Sequence, residues 1–241
     1  MSTIEELLER KSVRVFEPRP IDQEVKDSIL ACGFAAPTAG NQMLYSILDI
    51  EDPKLKTWLA QSCDHQGFIA TAPWVLVFLA DCRRWYDAYE LAGCNPRTPG
   101  VGDFALACQD AMIAAQNMVT AAHAHGLGSC FIGDIMENKE QVVAKLNLDP
   151  WVFPATLVVF GYPTDQQKRR SKPRRFAQEF IVHTDQYRRL TPDELQDMFA
   201  SRGDDFDQFV PGFCDRKYES DFAQEMTRSV TEYLQAYTDQ Q

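Results

Sequence analysis

Six of the eight residues 168–175 are Lys or Arg, and a second basic cluster, Arg10-Lys11-Ser12-Val13-Arg14, stands near the other end of the sequence. The protein as a whole is acidic: removing those nine charges takes its formal net charge from −11 to −20. Two compact cationic segments on an acidic background suit capture of one small anion, whereas nucleic acid needs a broad basic face. In an extended segment side chains alternate, so Arg10, Ser12 and Arg14 would point to one side. Two guanidinium forks and a hydroxyl converging there match a phosphate group. A solvated helix end, with cations near its C-terminus, accounts for the same residues. Pro173 holds Lys172 and Arg174 extended, again with two cations on one side. The turn Pro37-Thr38-Ala39-Gly40-Asn41-Gln42 offers small residues for close backbone approach and amides for hydrogen bonding, though a plain helix-to-strand loop would look the same.

Several other chemistries lack their residues. No Walker A or Gly-x-Ser-x-Gly sequence occurs. Gly126-Leu127-Gly128 with Gly133 joins a helix to a strand, the reverse of the order a dinucleotide pyrophosphate site requires. His123 and His125 diverge by roughly 200° on a helix and cannot share a metal. His65 and His183 stand alone, so no metal site is expected.

The elements that position these residues read as alternating helices and strands in one α/β domain spanning residues 1–241, with no Gly/Ser/Pro-rich linker. Thr3 with Glu6 reads as a capping box, and a second helix runs from Asp22 to Ala35. Residues 43–50 read as a strand, Asp52-Pro53 opens a helix, and residues 74–81 form a strand buried on both faces. The longest helix, residues 103–125, looks apolar nearly all round and should be buried in a core or between subunits. Strands 129–132 and 155–160 follow, separated by a helix capped by Asn138. Beyond the basic run come a short strand at 180–183, a helix capped by Thr191, an irregular stretch at 203–215 and a last helix at 217–237. The longest apolar run is far short of the ~18–20 residues of a spanning helix. The acidic opening lacks a basic signal region, and seven cysteines without Cys-x-x-Cys spacing suit free thiols in a reducing compartment. A cytoplasmic protein that binds neither membrane nor nucleic acid is expected.

In their order these pieces resemble the FMN-dependent nitroreductase family. The resemblance rests on Arg10-Lys11-Ser12-Val13-Arg14-Val15-Phe16, on Ala36-Pro37-Thr38-Ala39-Gly40-Asn41-Gln42, and on Gln66 ahead of the buried strand. Gly126-Leu127-Gly128-Ser129-Cys130-Phe131-Ile132-Gly133 and Gly161-Tyr162-Pro163, leading to Lys172-Pro173-Arg174, complete it. It implies an α+β fold, a mixed, largely antiparallel sheet flanked by helices, with a long central interface helix. Residues from about 190 to 241 resemble the helical extension of the larger, NADPH-preferring flavin-reductase subgroup. The implied assembly is a homodimer with FMN at the interface. Arg10, Lys11, Ser12, Lys172 and Arg174 would hold the FMN phosphate, and Arg14 would reach the ribityl chain or pyrimidine edge. Thr38, Ala39, Gly40 and Asn41 would contact the cofactor from the partner subunit. Gln66 would bond the pyrimidine edge, and Ile132 with the backbone of Gly133 and Asp134 would face flavin N5. Thr38-Ala39 stand where the family often has two serines, and Leu44-Tyr45 where it often has Pro-Trp.

The implied activity passes hydride from NAD(P)H through flavin N5 to a nitroaromatic, quinone or flavin acceptor by a ping-pong mechanism, with no catalytic side chain. NADPH is expected over NADH, with Arg202 and Arg216 as candidates for its 2′-phosphate, although Asp204, Asp205 and Asp207 would repel it. Reductive dehalogenation, flavin fragmentation and catalytically idle FMN binding are the alternatives on the same fold.

Overall fold

The computed structural model describes residues 2–238; Met1 and residues 239–241, at the ends of the expected single domain, lie outside the described residues. The chain divides into two compact units. One comprises the described residues up to Arg170 together with those from Glu225 onward, and the other is Ser171–Gln224.

The sheet of the first unit contains β1 (Tyr45–Asp49), β2 (Trp74–Asp81), β3 (Gly128–Ile132) and β4 (Val152–Gly161), in the order β1-β2-β4-β3. These pairs are all antiparallel, and the parallel part of the expected mixed sheet is a bridge between Ser12 and Ser129. Around it run α1 (Thr3–Glu9), α2 (Gln23–Phe34), α3 (Pro53–Ser62), α4 (Phe68–Thr71), α5 (Arg83–Leu91), α6 (Val101–Ala124), α7 (Lys139–Leu146) and α8 (Asp165–Arg169). The remaining helices are α9 (Pro192–Arg202), α10 (Phe206–Lys217) and α11 (Asp221–Thr238).

β2 is buried throughout because both its faces are covered. Trp74, Leu76, Phe78 and Ala80 pack with Ile29, Ala114 and Met118 on one side. Val75, Val77 and Leu79 pack with Leu59, Cys63, Ile69 and Ile135 on the other. The period-2 alternation of a strand thus divides the core into two layers. α6 crosses the first layer, and its alanines at 107, 111, 114, 115 and 122 allow close approach to the sheet. It is not apolar all round: its outer side leaves Leu106, Met112 and Ile113 about 40% exposed, and Asp110 is buried on its inner side.

Several local expectations change. Ser2, not Thr3, caps α1, with Glu5 completing the box. Asp52 and Thr191 cap α3 and α9 as read. Asn138 does not cap α7: it adopts φ 53° and makes no side-chain cap bond. α5 escaped notice because its cap lies in the strand before it, where Asp81 accepts from the amides of Arg83 and Arg84 at 3.0 and 3.1 Å.

In the second unit, residues 180–183 form no strand; a 3-10 turn, Gln178–Phe180, precedes exposed Ile181 and Val182. The stretch read as irregular is mostly α10, started by Asp205 accepting from the Gln208 amide. Phe199 is the centre of this unit, in ring contact with Phe176, Phe206 and Phe209.

Candidate anion and ring-binding site

The basic segment at residues 10–14 is extended and laid against β3. The Val13 amide donates to the Ser129 carbonyl at 2.9 Å, and Val13 itself is buried. Two glycines make the close approach possible. A Cβ at Gly128 would lie 2.5 Å from Val13, and one at Gly161 would lie 2.7 Å from Phe16. The glycines of both sequence motifs are therefore packing requirements of the strand that carries the cations.

The Cys130 thiol is pushed up by burial, opposed by Arg14, Ser12 and Arg10, with hydrogen bonds from Ser12 and Arg14. Val13 packs over Gly128 of the same strand.

The first part of the second basic cluster joins this segment. Lys11 Nζ donates to the carbonyl of Lys168 at 2.6 Å and to that of Arg170, and Arg170 donates back to the Ser12 carbonyl. An ammonium has three donors, so two of those on Lys11 serve to clasp a loop more than 150 residues away. Gln167 reinforces the clasp by accepting from the Arg14 amide. Lys168 pairs with Glu17 and Asp165 across exposed surface and adds little. Lys172 and Arg174 belong to the second unit, where both are exposed and Arg174 lies against Gly203.

Gly133 and Asp134 follow the end of β3, and Gln66 lies between α3 and α4. β3 runs from Gly128 through buried Ile132 into a 3-10 turn, Asp134–Met136, closed by the Met136 amide on the Gly133 carbonyl. α3 packs against this turn, and beyond its C-cap residue Cys63 both Asp64 and His65 take positive φ and deliver the chain to Gln66. Glu137 is buried beside it, its Oε1 lacking a hydrogen-bond partner, and burial together with Asp134, Asp64 and Glu225 raises its pKa to about 7.

Thr38, Ala39, Gly40 and Asn41 form a third group, anchored in the opposite core layer. Gly40 and Asn41 adopt φ 56° and 58°, conformations that suit these residue types. Asp110 of α6 organises the turn: its carboxylate accepts from the Thr38 hydroxyl and from the amides of Ala39 and Leu44, the latter two at 3.2 and 3.1 Å. Thr38 Oγ1 in turn accepts from the Met43 amide at 2.8 Å. Asp110 is only 3% exposed and was missed from sequence, where a carboxylate inside an alanine-rich helix was its signal. Because this turn is fixed beneath the sheet's other face, one chain does not bring it together with Gln66 and Asp134.

Arg202 and Arg216 differ in setting. Arg202 pairs with Asp204 and stacks over Phe176, Phe209 and Phe199 at 4.2, 4.9 and 5.5 Å. Arg216 is exposed on α10. Among the described residues there is no group able to hold a metal ion and no helix long and apolar enough to cross a membrane.

Comparison with known proteins follows the same boundaries. The family model described as "Nitroreductase family" matches residues 7–162, from the basic segment to the Gly161-Tyr162 motif. An FMN reductase [NAD(P)H] of Bacillus subtilis is 27% identical over 96% of this chain and 90% of its own. An NADPH-flavin oxidoreductase of Vibrio harveyi is 31% identical over 81% and 78%. Among solved structures, nitroreductase A of Vibrio parahaemolyticus superposes with a TM-score of 0.81 at 26% identity, covering 97% of this chain and 98% of that one.

Proposed function

The chain belongs to the nitroreductase family, and on that premise we propose that it is an FMN-dependent oxidoreductase passing reducing equivalents from NAD(P)H to a nitroaromatic, quinone or flavin acceptor. The observation that carries this reading is the clasp between residues 10–14 and 168–170, which brings cations from two segments distant in sequence beside Ser12. The residues fit FMN in kind: guanidinium and hydroxyl donors suit a phosphate dianion. When bound, the flavin supplies the hydride chemistry.

The chain's own residues bind and orient. Arg10, Ser12 and Arg14 hold the phosphate and neighbouring chain. Lys11 contributes chiefly by holding the loop that carries Lys168 and Arg170. Gln66 addresses the pyrimidine edge, and Ile132, Gly133 and Asp134 the ring. Thr38, Ala39, Gly40 and Asn41 serve the cofactor of a partner subunit.

Homodimerisation is supported by the apolar side chains exposed on two helices that pack together. α1 packs on α6 and exposes Ile4, Leu7 and Leu8, while α6 exposes Leu106, Met112 and Ile113. Such a patch on one chain marks an interface. The site is then composite, and ping-pong turnover takes place at the subunit junction. Seven free thiols suit a cytoplasmic setting. NADPH is the preferred donor, with Arg216 the exposed cation for its 2′-phosphate.

The visible spectrum of the purified protein tests the reading, together with NADPH oxidation in the presence of a quinone or nitroarene. Flavin absorbance with acceptor-dependent turnover is expected. A colourless protein that ignores added FMN refutes the proposal, and a flavin-loaded protein without turnover leaves binding alone.

A further inference from the structure

α7 begins without a cap of its own. The first amides of a helix need acceptors, and Asn138, in left-handed backbone, supplies none from its side chain. The acceptors come from about 90 residues downstream, on α11. Ser229 Oγ accepts from the Lys139 amide at 3.0 Å and donates to the Met136 carbonyl at 2.6 Å. Glu225 accepts from the Asn138 amide at 3.1 Å, and Lys139 Nζ donates to the Glu232 carbonyl at 2.7 Å. Arg228 holds Glu225 in place while forming a two-pronged pair with Glu140, at 2.9 and 3.0 Å.

Ser229 is completely buried. One hydroxyl therefore closes both ends of the link between the 3-10 turn and α7, in a setting where an unmade hydrogen bond is expensive. α11 itself is docked by other means: Tyr233 packs edge-on to Phe153, Tyr237 to Phe104, and Trp151 donates to the Ala236 carbonyl. The helix would stay in place without Ser229; the turn would lose its anchor.

We infer that Ser229 is a positioning residue for the flavin ring, fixing through Met136 and Lys139 the turn whose Gly133 and Asp134 backbone faces the cofactor. This rests on the FMN reading above. Its consequence is specific, because the ring and the phosphate are held by different parts of the chain. Loss of Ser229 loosens the ring end and leaves the phosphate end intact.

The test compares FMN with riboflavin, which lacks the phosphate, in fluorescence titrations of the full chain stripped of flavin. Ser229→Ala should weaken both ligands by the same factor, roughly 5- to 30-fold. Arg10→Ala should weaken FMN and leave riboflavin unchanged. Hydrogen exchange of the Asn138 and Lys139 amides should accelerate in Ser229→Ala and stay at the wild-type rate in Thr231→Ala, whose exposed hydroxyl bonds only within α11. Glu225→Gln, which weakens the outer acceptor together with its ion pair to Arg228, should give the same pattern with a smaller factor, and it carries the test if Ser229→Ala fails to fold. Unchanged affinity for both flavins, a loss confined to FMN, or unaltered exchange at 138 and 139 overturns the inference. A wild-type chain that binds neither flavin removes the FMN reading and this inference with it.

Discussion

Glu137→Gln should stabilise the protein, by an amount that grows as pH rises from 4.5 to about 7. The carboxyl is 7% exposed, and one oxygen has no hydrogen-bond partner. Burial and the charges of Asp134, Asp64 and Glu225 raise its pKa from 4.5 to about 7. Below pH 4.5 both folded and unfolded chains hold the proton, and the residue exerts no pH-dependent effect. Between 4.5 and 7 the unfolded chain releases it while the folded chain keeps it, so the unfolded state binds fewer protons and stability falls as pH rises. Above 7 the loss is complete. Each pH unit across that interval corresponds to about 1.4 kcal/mol, giving a ceiling of roughly 3.4 kcal/mol. Partial access of water reduces the expected effect to about 1–2 kcal/mol, or roughly 2–8 °C in melting temperature for a domain of this size. The assay is thermal unfolding of wild type and Glu137→Gln from pH 4.5 to 8.5 at one protein concentration, since the midpoint of any associating chain depends on concentration. The variant's advantage should grow from pH 4.5 to 7 and then level off. Parallel curves, or an advantage that shrinks with rising pH, refute the assignment of a buried, proton-holding carboxyl.

Asp110→Ala should cost about 3–5 kcal/mol in denaturant unfolding, because it strands the Thr38 hydroxyl and two amides in a buried setting; a change under about 1 kcal/mol discards its organising role. Arg10→Ala should weaken FMN binding by about 10- to 100-fold in a fluorescence titration, and wild-type affinity would reduce the basic segment to surface charge. Arg202→Ala should lower stability without changing the NADPH/NADH ratio of kcat/KM, since its guanidinium is engaged by Asp204 and three phenyl rings, whereas Arg216→Ala should lower that ratio; the reverse outcome exchanges their roles. Ile113→Glu should convert a dimer to monomer in sedimentation, and a stable, FMN-loaded wild-type monomer at micromolar concentration excludes the interface altogether.

The sequence alone determined the features that depend on near neighbours. The buried β2 and the Asp52-Pro53 and Thr191-Pro192 helix starts follow from side-chain period, capping chemistry and fixed backbone torsions, which act within a few residues. The glycines at 128 and 161 and the ordered motifs around them carried the family resemblance, because close packing under Val13 and Phe16 leaves a compositional trace. Other assignments failed for the same reason that these succeeded. Asn138 looked like a cap from its neighbours, but the acceptors are Ser229 and Glu225. Residues 203–215 looked irregular from their aspartates and glycines, but α10 forms and follows the Phe199 cluster. Asp110 could not be read as the anchor of a turn some 70 residues earlier, nor Lys11 as the clasp of a loop beyond residue 167. Such contacts are chosen by where the sheet and α6 bring distant backbone together, and only the tertiary structure decides which unpaired amide or carbonyl a buried polar side chain will meet.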